Sequence, residues 1–579
     1  MNTKITLHQT HNTVGDFDSI FQVLTKSLVS DGLHLFPELF LAGYPLNDLI
    51  LQKSFITSYM THLDDINHWA KSEKGNWTAL IGGIKYDFQE SSYPTKITNV
   101  IYELSPGKGL KVVYTKQLLP NYDIFDEKKY FTEGQETGLY DYQGKKFGLL
   151  ICEDMWPSSA YTKNPVEDLY ELTQTKNISL AGVINLSASP FNVGKMNQRL
   201  TQGEAISLEL NCPFIYVNRV GGEDEVLFDG RSFVQDGHDT LYELRSFEND
   251  MVSFELPDKK SSPTLLRTTN FPNTWENLFE PQLNYSTKPC RLIDLTDEDC
   301  KEILEAMIFG FQEYARKSGF KKFLVALSGG MDSVLVLAIL KIGLRPGQSL
   351  EAIYMPSMFS SSLSTELSED LCKRLGIPLS YFPIKFLHSA VKNAFTQSFA
   401  DPFTGLVDEN IQSRLRGTLL YTRSNQTGAM VINTSNKSEL AVGYSTQYGD
   451  SVGAISLLGD LYKSEVYRLG QYINQFHGNL IPQGVLDRGP SAELRENQLD
   501  LDSLPPYERL DAILEGILSY KLDFKGLIEL GHDEKEVSKV IQLLGRSEYK
   551  RYQFCPIIKL KSKSFGFGYR IPISKNFHY

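Results

Sequence analysis

The sequence predicts an α/β protein of two successive domains, and three observations carry that prediction. Short apolar runs of strand length alternate with helical segments from Lys4 to about Glu255. From Leu256 to Cys290 the texture turns proline-spotted and weakly periodic, as a connector does. A second alternation of helices and strands then runs to the C-terminus. The domains are therefore set at 1–255 and 291–579, with 256–290 between them.

In the first domain the runs are KITLHQT (Lys4–Thr10), WTALIGGIKY (Trp77–Tyr86), KVVYTK (Lys111–Lys116), KFGLLIC (Lys146–Cys152), AGVINLSAS (Ala181–Ser189) and PFIYVNRV (Pro213–Val220). Each combines β-branched or aromatic residues at strand length. The second domain opens with DLTDEDCKEILEAMIFGFQEYARKSG, a helix with an Asp or Thr cap, an acidic first turn and Gly319 past its end. Strands Phe323–Leu327, Ser349–Ser357 and Ala429–Ser435 follow, with helices between them. No solenoid-length repeat or low-complexity tract interrupts the chain.

Composition excludes several functions. The 579 residues are 41% hydrophobic and 22% charged, an ordinary soluble composition, and the net charge of −12 opposes nonspecific binding to nucleic acid or acidic lipid. The six cysteines lack CxxC or framework spacing, so neither a disulfide scaffold nor a zinc site is expected. No flavin is expected either. His8 and His11 are read as a strand-end coincidence rather than a metal pair. With no basic-then-apolar start and no run of eighteen apolar residues, the chain is expected to be cytoplasmic and without a membrane partner.

The stretch FLVALSGGMDSVLVLAIL (Phe323–Leu340) places glycines, serines and an aspartate between a buried strand and an apolar helix. Backbone N–H groups at such a turn and the following helix N-terminus form an anion site, and Gly329 and Gly330 admit a phosphate closely. The chain has neither GxxxxGK[ST] nor a GxGxxG after a strand. Ser328, Gly329, Gly330, Met331, Asp332 and Ser333 instead resemble the pyrophosphate loop of ATP pyrophosphatases. DENIQSRLRG (Asp408–Gly417), INTSNKSELAVGYSTQYGD (Ile432–Asp450), PSAELRENQLDLDSLPPYERLD (Pro490–Asp511) and EYKR (Glu548–Arg551) follow in order. Together they resemble the synthetase domain of NAD synthetases. By side-chain chemistry, Asn410, Arg414, Arg416, Lys437 and Lys550 offer donors to phosphates, while Asp332, Glu439 and Asp450 suit magnesium or polar recognition.

The resemblance implies that the Ser328–Ser333 loop and Thr434 bind ATP, that Asn410, Glu439 and Lys550 contact deamido-NAD, and that Asp332 and Glu439 hold magnesium. It also implies a Rossmann-like parallel sheet, adenylation of a carboxylate by ATP, attack of ammonia on the adenylate, and a homo-oligomer. The match is loose around Lys463.

KKFGLLICEDMWP (Lys145–Pro157) places Cys152 at the end of an apolar strand, where a nucleophile is presented at a sheet edge. A buried cysteine of this kind is ordinarily a small hydrophobe. LFPELFLAGYP (Leu35–Pro45) and YTKQLLPNYDIFDE (Tyr114–Glu127) supply Glu38 and Lys116. In this order the segments resemble the Glu-Lys-Cys triad of the nitrilase superfamily, which implies a nitrilase-like α/β sandwich over the first domain. An amide is a poor electrophile, so a thiolate, a proton shuttle and a cation at the oxyanion are the groups needed. By the same resemblance Tyr122, Ser189 and Lys195 contact glutamine, as in glutamine-dependent NAD synthetases. Arg219 departs from the uncharged residue, often Gln, that many relatives carry, which leaves its local contacts open.

The combined expectation is a glutamine-fed NAD synthetase with glutamine, ATP and deamido-NAD as its partners. Three alternatives stand beside it: another ATP-pyrophosphatase amidotransferase, an ammonia-dependent synthetase whose N-terminal half is only an oligomerisation module, and a nitrilase-type amidase with an inert C-terminal domain.

Overall fold

The computed structural model describes residues 3–90, 93–156, 158, 160–256, 285–286, 291–496 and 498–575. Most of the expected connector, 257–284 and 287–290, lies outside the described residues. The remainder divides into two compact units, one ending at Leu256 and the other running from Tyr285 onward together with Asp224–Val226.

The first unit has strands β1 (Thr3–Gln9), β2 (Gly32–Leu35), β3 (Trp77–Asp87), β4 (Lys96–Ser105), β5 (Gly109–Thr115), β6 (Leu139–Tyr142), β7 (Lys145–Ile151), β8 (Leu180–Ser187), β9 (Phe214–Asn218), β10 (Val220–Glu223), β11 (Val226–Asp229), β12 (Phe233–Asp236), β13 (Asp239–Glu243) and β14 (Asp250–Leu256). Two six-stranded sheets result, ordered β14-β1-β2-β3-β4-β5 and β13-β12-β9-β8-β7-β6, with β10-β11 as a separate hairpin. In each sheet two parallel steps at the centre, β1-β2-β3 and β7-β8-β9, are flanked by antiparallel strands.

The inner faces meet in one core where Ile5, Leu7, Leu33 and Leu35 pack with Phe147, Leu149, Ile151, Ile184 and Leu186. Outside the second sheet, helices Pro165–Lys176 and Lys195–Leu210 bury Val166, Leu169, Met196 and Ile206 against Leu150, Val183 and Phe214. β7 is thus covered on both faces, which is why it reads as a continuous apolar run rather than an alternation. Each such aliphatic side chain contributes roughly 1.5–3 kcal/mol. The nitrilase-like sandwich is the architecture observed.

β1 also carries a buried imidazole. His8 Nε2 lies 2.9 Å from His34 Nδ1, and the His8 ring stacks on Phe36 at 4.4 Å, so its partner is His34 rather than His11. Burial, then the neighbouring His34, pushes His8 down to about 3. As pH falls through the ordinary histidine range, the unfolded chain takes up a proton that the folded chain refuses. Stability attributable to His8 is therefore complete above pH about 6.5 and declines toward pH 3, by about 1.4 kcal/mol per pH unit. His8→Phe should flatten the loss of Tm between pH 7 and pH 5; equal losses in variant and wild type would contradict this.

The second unit has a short hairpin, β15 (Tyr285–Ser286) with β16 (Arg291–Leu292), and strands β17 (Lys322–Leu327), β18 (Ser349–Tyr354), β19 (Leu379–Tyr381), β20 (Met430–Asn433) and β21 (Ile455–Ser456). The five form a parallel sheet ordered β19-β18-β17-β20-β21. The chain adds strands in one direction from β17 and then returns to its other side, so the order reverses between β17 and β20. In open parallel sheets ligands bind at that crevice, beyond the carboxyl ends of the strands. Helix Met331–Gly343 leaves β17, and Val334 to Leu340 are all fully buried, as its uninterrupted apolar sequence requires.

Strand β18 stops at Tyr354 rather than at Ser357 as the sequence suggests, because Pro356 has no N–H for the ladder. A helical layer including Tyr507–Leu518 and Glu534–Arg546 buries Leu510, Leu514, Val537 and Val540 with Leu440 and Tyr462. No helix among the described residues is long and apolar enough to cross a membrane.

Candidate functional site

In the first unit, three strand ends deliver the three residues singled out from the sequence. Cys152 follows β7, Lys116 follows β5, and Glu38 lies three residues past β2. Cys152 adopts φ 45°, a conformation L-residues seldom take. Its N–H donates to Asn185 Oδ1 at 2.6 Å, and Asn185 Nδ2 returns a bond to its carbonyl at 3.4 Å. The fold over-determines this strained turn.

Glu38 Oε1 accepts from Lys116 Nζ at 2.7 Å and from Asn99 Nδ2 at 2.7 Å, while Oε2 accepts from the Ala188 N–H at 2.8 Å. Gly82 makes room for this turn: a Cβ there would lie 2.5 Å from Glu38 Cα. Lys116 is fully buried and donates also to Glu127, at 2.9 Å to Oε1 and 2.8 Å to Oε2. Tyr44 Oη donates to Glu127 Oε1 at 3.1 Å. One ammonium thus serves two carboxylates.

Burial would lower the Lys116 pKa, but Glu127 and then Glu38 outweigh it and hold the group charged. Burial pushes Glu127 up to about 7 against the pull of Lys116. Burial and the nearby Glu38 raise the Cys152 thiol well above its ordinary value, with Lys116 opposing. The resting thiol is neutral, so nucleophilic attack requires a base beside it.

Asp154 ties the Cys152 turn to the Lys116 segment. Its carboxylate accepts from the N–H groups of Gln117 (3.1 Å), Leu118 (2.8 Å) and Ile151 (2.9 Å) and from Tyr114 Oη (2.8 Å).

The residues expected to touch glutamine gather beside Cys152 around an acid that sequence reasoning missed, Glu153. Tyr122 Oη donates to both Glu153 oxygens at 3.1 Å, and Tyr161 Oη donates to Oε1 at 2.9 Å. Lys195 sits over the Trp156 ring at 4.8 Å, and burial, then Arg199, brings its ammonium down to about 8 against the attraction of Glu153. Ser189 is fixed by Arg199, whose Nη2 donates to Ser189 O (3.0 Å) and Oγ (3.2 Å) while Nη1 pairs with Asp229. A buried acid, Glu153, and a half-buried ammonium, Lys195, beside the nucleophile match the two charges of a free amino acid. Glu127 was also missed, although it closes the very segment that supplied Lys116.

Arg219 is buried and donates to three oxygens: Tyr44 O through Nη1, and Asn12 O (2.9 Å) and Glu223 Oε1 (3.0 Å) through Nη2.

In the second unit, Ser328–Gly330 joins β17 to helix Met331–Gly343 at the switch point, and Thr434 follows β20 across it. Gly329 has φ 79°, and a Cβ there would stand 2.6 Å from Ser364 O. The loop is braced internally: Ser333 Oγ donates to Gly330 O (3.2 Å) and accepts from the Ser328 N–H (3.2 Å), and the Gly330 N–H donates to Ser328 Oγ (3.2 Å). Ser328, Asp332, Thr434, Glu439, Arg416 and Arg488 line one cavity of about 250 Å³ above it.

Asp332 and Glu439 are brought together by Lys463, another residue that sequence reasoning weighed too lightly. Its Nζ donates to Asp332 Oδ2 at 2.5 Å and to Glu439 Oε1 at 3.1 Å. Burial pushes Glu439 up to about 8 against Lys463. Lys437, expected to offer a phosphate donor, is instead spent on Asp460 at 2.9 Å in the core.

Asn410 and Lys550 do not line this cavity. Asn410 Oδ1 accepts from Thr446 Oγ1 at 2.9 Å, and Lys550 Nζ donates to Gly443 O and Ser445 O, each at 2.7 Å. Both hold the 443–446 segment.

Both units match known proteins. The chain matches the family model for carbon-nitrogen hydrolase over residues 30–238 and that for NAD synthase over residues 303–554. It is 35% identical to the glutamine-dependent NAD(+) synthetase of Thermotoga maritima, over 99% of both chains, and 34% identical to that of Synechocystis sp., again over 99% of both. Among solved structures, the glutamine-dependent NAD+ synthetase of Acinetobacter baumannii in complex with ADP superimposes with a TM-score of 0.70 at 31% identity, covering 99% of this chain and 98% of that one.

Proposed function

Because the chain belongs to the glutamine-dependent NAD(+) synthetases, ligases that use ATP as co-substrate, we propose that the Cys152 cluster releases ammonia from glutamine and the Ser328–Ser333 loop serves the ATP-driven amidation of deamido-NAD. The observation that carries the glutaminase assignment is the buried Lys116 ammonium, 2.7 Å from Glu38 beside Cys152. An inert oligomerisation module has no use for a buried cation held between two acids, which costs several kcal/mol of desolvation per ion.

Glu38 takes the thiol proton as Cys152 Sγ attacks the glutamine amide carbon. Lys116 stabilises the oxyanion, a term worth about 10²–10³ in rate when a donor is removed from comparable sites. Glu38 returns the proton to nitrogen, the C–N bond breaks, and neutral ammonia leaves a thioester. Water, deprotonated by Glu38, then cleaves the thioester to glutamate. Glu153 binds the substrate ammonium, with Tyr122 and Tyr161 fixing its oxygens. Lys195 binds the α-carboxylate and Ser189 closes the pocket.

In the other unit the loop N–H groups and Ser328, Ser333 and Thr434 hold the phosphates of ATP. The deamido-NAD carboxylate attacks the α-phosphorus, pyrophosphate leaves, and ammonia displaces AMP from the mixed anhydride. Asp332 and Glu439 carry hard oxygen atoms on one cavity wall, each paired here with Lys463; Asp332, which keeps its second oxygen clear of Lys463, would be the carboxylate to hold magnesium together with substrate phosphates, and Glu439 would join it once Lys463 turns to those phosphates. Magnesium would neutralise charge on the departing pyrophosphate. Asn410, Glu439 and Lys550 are assigned to deamido-NAD on the order of the sequence motifs. A homo-oligomer and a cytoplasmic location complete the reading, the latter resting on six scattered cysteines.

Rates of NAD formation with glutamine and with ammonium separate the two sites. Glu127→Gln keeps the size of the side chain but leaves Lys116 a single charged partner. Glutamine-supported synthesis should fall about 10²-fold, the cost of a misplaced catalytic group, while ammonium-supported synthesis stays at the wild-type rate. Equal losses with both nitrogen sources would refute the assignment.

A further inference from the structure

Arg199 is the largest fully buried side chain among the described residues, and no step of the mechanism uses it. It stands one turn after Lys195 on helix Lys195–Leu210, so two cations share one helix face, an arrangement that by itself weakens a helix. Asp229, at the end of β11, answers only one of the two charges: Arg199 Nη1 donates to both of its oxygens, at 2.9 and 2.8 Å. The Arg199 Nε finds no acceptor among the described residues. As a device for stability the pair is poor, since well-packed apolar side chains of similar volume serve a core at least as well.

Its geometry is that of a clamp. Nη2 donates to Ser189 O at 3.0 Å, to Ser189 Oγ at 3.2 Å and to Pro190 O at 3.2 Å. Asn218 holds the same serine from another side, accepting from the Ser189 N–H at 2.9 Å and donating to Ser189 O at 3.3 Å. Arg199 is thus tied to Ser189 by hydrogen bonds and to Lys195 by a turn of helix, so the spacing of the two residues that enclose and receive the α-carboxylate passes through this one side chain. Burial and then Arg199 hold the Lys195 ammonium down at about 8, and an incoming anion relieves both.

We propose that Arg199, held by Asp229, is the positioning residue that makes the Cys152 pocket select amides carrying an α-carboxylate over simple amides, an inference that rests on the glutaminase assignment. It touches no substrate atom and acts through Ser189 and Lys195. Lysine cannot take its place, because one ammonium cannot present a planar fork to Asp229 and Ser189 together. The nucleophile and its cation are held elsewhere, Cys152 by Asn185 and Lys116 by Glu127.

The test compares two substrates in full-length protein with ATP and deamido-NAD present: glutamine, and γ-aminobutyramide, which is glutamine without its α-carboxylate. Hydrolysis is read as the acid formed, with kcat and KM separated. In Arg199→Lys, KM for glutamine should rise at least about tenfold while kcat falls by no more than about threefold, and kcat/KM for γ-aminobutyramide should change by less than about twofold. Alkylation of Cys152 by iodoacetamide at the wild-type rate, located by peptide mass, shows that the nucleophile's surroundings are intact. If Arg199→Lys does not alkylate, Asp229→Asn decides: it loosens the clamp at constant size, and the preference for glutamine over γ-aminobutyramide should fall about threefold. A preference at or above that of wild type in a variant that alkylates, or equal losses on both substrates carried by kcat, overturns the positioning role alone. A wild type that hydrolyses neither amide overturns the glutaminase assignment and this inference together.

Discussion

Cys152→Ala is expected to lose glutamine-supported NAD synthesis by about 10⁴-fold or more and to keep ammonium-supported synthesis within about twofold of wild type. The thiol is the only group at the three strand ends able to form a covalent acyl intermediate, and its removal leaves Glu38 and Lys116 with nothing to activate. The effect stays local because Cys152 is held by the Asn185 side chain and its own turn, and alanine preserves both backbone bonds. The alternative that the first unit only oligomerises expects wild type to make NAD from ammonium and none from glutamine, with Cys152→Ala changing neither. Rates measured with glutamine and with ammonium, on the same preparation, decide between them.

Gly329→Ala is expected to give the complementary phenotype. NAD synthesis should fall about 10²-fold with either nitrogen source, while hydrolysis of glutamine at Cys152 continues. Two penalties coincide at this residue. Its φ of 79° disfavours any side chain, and the added methyl would stand 2.6 Å from Ser364 O, which is backbone and cannot swing away. The loop must shift, and the N–H groups that receive phosphate shift with it. Stability should change by no more than about 1–2 kcal/mol, since the strain is one residue's. Thermal unfolding beside the two rate measurements separates misplaced phosphates from a misfolded unit; a variant with normal ammonium-supported synthesis would remove the loop from the ATP site.

Most of this site was legible because strand ends are legible. Cys152, Lys116 and Ser328 each stand immediately after a run of apolar residues, and Glu38 follows the last residue of β2 by three. What escaped notice has a common physical cause: it depends on burial, which a single charged letter does not reveal. Glu127 and Glu153 read as solvated acids until the fold closes over them. Lys463 reads as a helix-start lysine until its ammonium bridges Asp332 and Glu439. Lys437 erred the other way, a candidate phosphate donor that the core claims for Asp460.

The flanking strands were also hard to see. β4 and β6 are antiparallel members next to or at a sheet edge, and β12 to β14 are short or half-exposed, so neither gives the unbroken apolar run that marks β7 and β8. In the second unit the parallel strands stood out for the same reason that β7 did. The helical layer over them did not, because its faces are completed by residues from distant elements, among them Leu440, Tyr462, Ile557 and Phe565.

The coupling of the two chemistries is tested most directly by isotope. Glutamine carrying ¹⁵N only in its side-chain amide is supplied with ATP and deamido-NAD, and the nicotinamide nitrogen of the product is read by mass together with the adenine nucleotide released. The expected result is ¹⁵N in the NAD carboxamide, with one AMP formed for each labelled molecule. Label confined to free ammonium, or ADP in place of AMP, would contradict it.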